Sequence, residues 1–379
     1  MKKYLGLCLF VLFPLWATAQ TKLFPEACVA YALDNSFASI NPGETSSLFV
    51  KCPNEKAEPE RGAARPKYTR SDIQFLQRAF SNIEDCLDIP MTETFPRLMM
   101  ESGFHPSIQN PNGDTGIGQL TKTAIQDVDR VLPTYKDKIF KSTKNSCRWL
   151  KSYSQSKTGF WSPVGNGSRC QLMTKNYGVL KNILYASILH KLNKDYVAKE
   201  YEKRQIGTLL LQAGVSDDHG PYLRELLVDL GYNTGGATAV KNFQDYLLSR
   251  IDFSQRKSQE LANPVLYHAN KYRLSEFLGH VKADDLDFMK GIARLSQRRE
   301  QIKANLLAQN PKLSEGELNR LIAVSLRNIS ASELSFPEWL KIWQSHGGPG
   351  YVTSLASIHR RLDEKFGAGV CADSQSFRP

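Results

Sequence analysis

The stretch that decides the fold runs from Phe95 to Ala124 and reads FPRLMMESGFHPSIQNPNGDTGIGQLTKTA. Its first part predicts a helix, because apolar residues such as Leu98 recur at helical spacing, and Gly103 is expected to end that helix. Glu101 falls on the last turn, so the pattern places a carboxyl group at the edge of an apolar core. A carboxyl group that is partly removed from water keeps its proton to higher pH and can act as a general acid near neutrality. The alternative is a glutamate that faces solvent, which is the usual place for this residue type.

The segment that follows Glu101 is rich in turn-forming residues. Pro106 and Pro111 are followed by Gly113, Gly116 and Gly118 within a few positions. Glycine allows tight turns and lets a backbone approach a ligand closely. The pattern therefore predicts a compact loop beside the carboxyl group, with a small β-hairpin, before a second helix begins.

Two motifs in this chain resemble those of glycoside hydrolase family 23, which contains the soluble lytic transglycosylases and the goose-type lysozymes. Their catalytic motif runs Glu-Ser, Asn-Pro, Ser-Pro, Gly-Ala and Gly-Leu-Met-Gln. The positions that match it without a gap are Glu101, Ser102, Pro106, Pro111, Gly113, Gly116 and Gln119. A second family signature, Tyr-Asn-Ala-Gly, resembles Tyr232-Asn233-Thr234-Gly235. Two matches in the family's order are more specific than either alone.

The resemblance implies a mainly α, lysozyme-like catalytic domain that cuts the β-1,4 bond after N-acetylmuramic acid in peptidoglycan glycan strands. Glu101 would be the acid and base, and Tyr232 would lie near it and position it. Gln119 and Asn233 would hydrogen-bond the substrate, while Ser102 is expected to form hydrogen bonds at the helix end rather than to act as a nucleophile. The resemblance implies no cofactor.

Three departures from the motif bear on the chemistry. Asp114 stands where transglycosylases generally have alanine, and goose-type lysozymes also place an aspartate at that spacing. A second carboxylate roughly 6.5–9.5 Å from the acid activates water in inverting hydrolysis, so Asp114 either supports hydrolysis or caps a turn. Asn110 replaces a serine and Gly118 replaces a methionine, which predicts a thinner and more polar wall of the sugar site. If Asp114 faces that site, a free amine on a de-N-acetylated sugar would bind better than an acetamide.

The remaining pattern divides the chain into four parts. Residues 1–19 have the charged start, short apolar run and small-residue cleavage site of a secretory signal peptide. Residues 20–70 are predicted to form a cysteine-tethered segment and a linker. Residues 71–262 would be the lysozyme-like domain, and residues 263–379 an additional C-terminal helical region. Within the domain, 136–173 is an insertion that is either a substrate-selecting lid or a stapled surface loop.

Helix boundaries follow from capping residues and proline. Ser71 to Gln74 matches a capping box, so the domain is expected to begin there, and Ser314 to Glu317 matches another. The helix that follows the glycine-rich loop is expected to stop at Pro133, because proline removes a backbone donor.

The cysteines agree with an exported protein, periplasmic or secreted. Outside the signal peptide there are six, an even number: Cys28, Cys52, Cys86, Cys147, Cys170 and Cys371. Nearness in sequence suggests pairing Cys28 with Cys52 and Cys147 with Cys170, which leaves Cys86 for Cys371.

Charge and motifs exclude several functions. The formal net charge is +11, which would hold the protein near a polyanionic cell envelope or would only keep it soluble. The basic residues are not interleaved with aromatics as in a nucleic-acid groove, and no Cys/His cluster indicates zinc. No stretch after the signal peptide is predicted to span a membrane. We expect a monomer without cofactor or nucleic-acid partner.

Overall fold

The computed structural model describes residues 23–35, 39–40, 67–106, 113–165, 169–173, 177–207, 210, 219–249, 283–330, 333–343 and 348–373. This part of the chain is mainly helical, which confirms the predicted class. The predicted signal peptide and most of the linker lie outside the described residues.

Twelve α-helices and two short strands form the described part. The helices are α1 Glu26–Asp34, α2 Arg70–Leu87, α3 Met91–Ser102, α4 Lys122–Lys141, α5 Asn145–Gln155, α6 Gly178–Lys203, α7 His219–Thr234, α8 Gly236–Ser249, α9 Phe288–Gln309, α10 Glu315–Arg327, α11 Phe336–Trp343 and α12 Gly348–Phe366. The strands β1 Ser39–Ile40 and β2 Lys67–Tyr68 pair in parallel. Single 3₁₀ turns occur at Arg169–Leu172 and Ala283–Asp285.

Two of the predicted helix boundaries are wrong. The capping box of α2 uses Thr69 and Asp72 instead of Ser71, because the hydroxyl of Thr69 accepts from the Asp72 backbone and the Asp72 carboxylate accepts from the Thr69 backbone. Helix α4 also continues past Pro133 to Lys141. Burial of Leu132 and Ile139 on either side of the proline offsets the lost backbone hydrogen bond. The capping box at Ser314 is confirmed.

Helix α6 lies at the centre of the molecule. Its first half, from Gly178 to His190, is buried all round, including the polar residues Lys181, Asn182 and Ser187. A helix that is buried on every side must be surrounded by others, and α6 contacts α3, α4, α7 and α8. This arrangement allows polar side chains on α6 to reach the glycine-rich loop, Gly113 to Leu120.

The C-terminal helix α12 joins two hydrophobic cores. Ile358 and Leu362 on its later turns pack into the core that α2, α3 and α6 build, whereas Val352 near its start packs into the core of α7, α8 and α11. The end of α12 therefore belongs to the same core as the helix that carries Glu101.

The predicted cysteine pairing is wrong. Cys28 forms a disulfide with Cys371, which lies 343 positions away, and Cys86 pairs with Cys147 across 61 positions. Nearness in sequence fails here because helix packing brings distant segments together: α1 and the C-terminal segment both pack on the first core. Cys52 lies outside the described residues.

None of the helices in the described ranges combines the length and the apolar character needed to cross a membrane.

Candidate active site

Glu101 lies on the last turn of α3, directly before Gly103 ends the helix in a left-handed conformation. The residue keeps some solvent exposure, and its carboxyl group lies within hydrogen-bond distance of Tyr351. The pKa of Glu101 is raised from its ordinary 4.5 to about 7. Burial is the largest cause and the negative charge of Asp114 adds to it, while a hydrogen bond from Tyr351 and the positive charge of Arg97 lower the pKa. A substantial fraction of Glu101 is therefore protonated at neutral pH.

Tyr351, on the first turn of α12, is the direct partner of that carboxyl group. Its hydroxyl donates to Glu101 Oε1 at 2.7 Å. Burial raises the pKa of Tyr351 well above its ordinary value, so the phenol remains a neutral donor. The sequence analysis missed this residue, because it lies 250 positions from Glu101 and in a region that neither family motif covers.

The glycine-rich loop is fixed to α3 by Ser102. The hydroxyl of Ser102 is buried and donates to the Ile117 carbonyl at 2.8 Å. The loop closes through an antiparallel bridge between Thr115 and Leu120, which is the small hairpin that the sequence predicts. Ser102 therefore positions the loop, and its buried hydroxyl is not available to a substrate.

Asn182 on α6 holds the same loop from the opposite side. Its side-chain oxygen accepts from the Gly118 backbone at 2.7 Å, and its side-chain nitrogen donates to the Thr115 carbonyl at 3.0 Å. A Cβ on Gly116 would lie 2.3 Å from that nitrogen, and Gly116 has a φ of +71° that favours glycine. No local pattern marks Asn182 in the sequence, and its side chain is fully buried.

Gly118 faces helix α6, and the thinner wall of the sugar site that was expected there stays a prediction. A Cβ at Gly118 would lie 2.8 Å from Cβ of Ala186 on α6. The position points into the helix behind the loop, and glycine is required because the loop backbone lies so close to α6. Gln119, which is partly exposed, donates to the Gly116 carbonyl at 2.8 Å and so also takes part in holding the turn.

Tyr232, at the end of α7, lies beside the site as the resemblance implies. Its hydroxyl donates to the Gly118 carbonyl at 2.9 Å. Burial raises the pKa of Tyr232, and the neighbouring charges of Glu101 and Asp114 raise it too. The tyrosine therefore supports the loop beside Glu101, while Tyr351 makes the direct hydrogen bond.

Arg97 lies one turn before Glu101 and is fully buried. Its guanidinium forms an ion pair with Asp229, approaches His190 Nδ1 at 2.7 Å and stacks over the Tyr232 ring at 4.8 Å. Since a guanidinium can only donate, Nδ1 of His190 accepts and its Nε2 carries the proton that bonds Glu93 at 2.5 Å.

Burial and the charge of Arg97 lower the pKa of His190 to about 4, so this histidine is neutral. Because His190 is neutral, the positive charge that lowers the pKa of Glu101 against the effect of burial is that of Arg97.

The other predicted site residues have different positions. Asp114 is partly exposed and lies near enough to Glu101 and Tyr232 for its charge to raise the pKa of both. Asn233 is exposed on the last turn of α7. Asn110 lies outside the described residues. In the part of the chain that is described, no group of three or more metal-ligating side chains occurs.

The site therefore combines a glutamic acid that is partly protonated at neutral pH, a second carboxylate nearby and a rigid loop held by three helices. In comparisons with known proteins, no family model, no curated protein and no solved structure matches this chain.

Proposed function

We propose that the protein is an exported peptidoglycan glycosidase that cuts the β-1,4 bond between N-acetylmuramic acid and N-acetylglucosamine, with Glu101 as general acid and base. The observation that carries the proposal is the Glu101 carboxyl group itself, which is placed at the end of α3, hydrogen-bonded by Tyr351 and raised in pKa by burial. Its pKa of about 7 leaves a proton available at the pH where such an enzyme works, and glycosidic cleavage requires a proton for the leaving oxygen.

The surroundings of Glu101 support this role. The hydrogen bond from Tyr351 fixes the carboxyl group at the edge of the loop, and a fixed acid protonates a bound glycosidic oxygen without first reorienting. Ser102, Asn182 and Tyr232 keep the loop backbone in one conformation. A sugar bound over the loop would thus meet an acid whose position and protonation are both set in advance.

We further propose that water rather than the sugar's own 6-hydroxyl attacks the anomeric carbon. The electrostatic effect of Asp114 on Glu101 indicates two nearby carboxylates with different environments, which is the pattern of acid and base pairs in glycosidases. Asp114 would then activate water, and a de-N-acetylated sugar would place an amine beside it. Turnover that is equal or lower on chemically deacetylated cell wall would end the deacetylation hypothesis.

Two alternative functions remain as proposals. A lytic transglycosylase would use Glu101 for both proton steps and leave 1,6-anhydro ends. A catalytically silent wall-binding protein would bind the glycan without turnover. Zymography on peptidoglycan separates enzyme from binder: we expect clearing by the unaltered protein and none by Glu101→Gln, and equal clearing by both would refute the proposed catalyst. Mass spectrometry of the digest then separates reducing ends from anhydro ends.

A further inference from the structure

The insertion 136–173 is firmly fixed to the domain. The Cys86–Cys147 disulfide ties α5 to α2. Farther along, the Asp129 carboxylate accepts from the backbone of Val164 at 3.1 Å and of Gly165 at 2.7 Å. These contacts attach the insertion to α2 near Cys147 and to α4 near Val164.

The end of the insertion nevertheless forms one side of the candidate site. The 3₁₀ turn Arg169–Leu172 lies against the glycine-rich loop at Gly113 and Gly116. A Cβ on Gly113 would lie 2.6 Å from Nη1 of Arg169, and a Cβ on Gly116 would lie 2.9 Å from the Leu172 carbonyl. Gly113 directly precedes Asp114, so the guanidinium of Arg169 lies beside the segment that carries Asp114.

Arg169 is a cation with an unsatisfied hydrogen-bond donor that an anion could accept from. Its Nη1 is shielded from solvent and has no hydrogen-bond partner among the described residues, although the side chain as a whole keeps partial exposure. No carboxylate in the described part of the chain forms an ion pair with it, although 17 such pairs between other residues lie there. Holding a guanidinium against a glycine without a partner costs free energy, and a ligand carboxylate would recover it.

We propose that Arg169 binds a carboxylate of the muramyl part of the glycan, which rests on the proposed function of the Glu101 site. Muramic acid carries a lactyl group that ends in a carboxylate, or in a stem peptide with carboxylates of its own. A chitin-type chain has no such group. The planar fork of arginine matches a carboxylate with two parallel hydrogen bonds. The insertion thus selects peptidoglycan over neutral β-1,4-linked glucosamine polymers.

Binding to the Glu101→Gln protein tests this without turnover. Four probes of equal chain length are titrated by calorimetry: peptide-free muramyl oligosaccharide, the same oligosaccharide with its lactyl carboxylate amidated, a peptide-bearing muramyl oligosaccharide and a chitooligosaccharide. We expect Arg169→Gln to weaken binding of a carboxylate-bearing probe roughly ten- to hundredfold, the range of one charged hydrogen-bond pair. The amidated and chitin probes should change less than about twofold.

The matched control is Arg148→Gln, which removes the same charge from an exposed position on α5. It should leave all four affinities unchanged. Whichever carboxylate-bearing probe loses affinity identifies the lactyl or the peptide source, and either result supports the proposal. An equal loss on all four probes would show a structural role for Arg169, and no loss on any would also overturn the proposal. Failure of the proposed function appears separately, as clearing by Glu101→Gln in the zymogram.

Discussion

Replacing Tyr351 by phenylalanine should make Glu101 a weaker acid. The phenol donates to Glu101 Oε1 at 2.7 Å, and this hydrogen bond lowers the pKa of the glutamate against the larger effect of burial. A hydrogen bond to a charged group contributes about 1.5–3 kcal/mol. The protonated carboxyl group also gains from the phenol, so we take the lower end of that range, which corresponds to a pKa rise of about one unit.

The sign of the effect on activity follows from the role of Glu101. A general acid must be protonated, so activity falls as pH rises through its pKa of about 7. In Tyr351→Phe this alkaline limb should move about one pH unit higher. The assay is kcat/KM on soluble peptidoglycan fragments between pH 4 and 10.

The control for this prediction is Tyr196→Phe, because Tyr196 is an exposed tyrosine on α6. Its pH profile should coincide with that of the unaltered protein. An alkaline limb that stays in place in Tyr351→Phe, or moves to lower pH, would refute the assigned role of Tyr351.

Three further predictions concern stability and the loop. The pKa of Glu101 is about 7 in the folded protein and 4.5 ordinarily, so its buried charge destabilises the fold increasingly as the pH rises from 4.5 to 7. Glu101→Gln should therefore raise the free energy of unfolding by about 3 kcal/mol at pH 8 and leave it unchanged at pH 4, as denaturant titrations measure. Gly118→Ala should lower the free energy of unfolding by about 1–3 kcal/mol and abolish most activity, because the added methyl group would lie 2.8 Å from Cβ of Ala186. An unchanged melting temperature would contradict this. Removing the Cys28–Cys371 disulfide by a double serine substitution should cost about 2–5 kcal/mol and lower activity through α12, as urea titration and kcat measure.

Local sequence patterns predicted those parts of the site that depend on residues close together in the chain. The spacing of apolar residues before Gly103 gave the end of α3, and the glycines gave the Thr115–Leu120 hairpin. Both depend on interactions within a few residues, which sequence periodicity reports directly. The second family motif likewise placed Tyr232 beside the loop.

The rest of the site depends on packing between distant segments. Tyr351, Asn182 and Arg169 come from three separate helices or turns, and none belongs to a local pattern that would mark it. The disulfide between Cys28 and Cys371 has the same origin, because only the packed core brings the two ends of the chain together. The close approach of Gly118 to α6 has the same origin, because its sequence position does not tell which side of the loop faces that helix.

The protonation of Glu101 near neutral pH is the claim on which the proposed chemistry depends. Carbon-13 labelling of glutamate carboxyl groups, with Glu101→Gln to assign the resonance, measures it directly by NMR titration. We expect a resonance that is missing from the variant and titrates at about pH 7. A midpoint near the ordinary glutamate value of 4.5 would mean that the carboxyl group has no proton to give at neutral pH, and it would contradict the account.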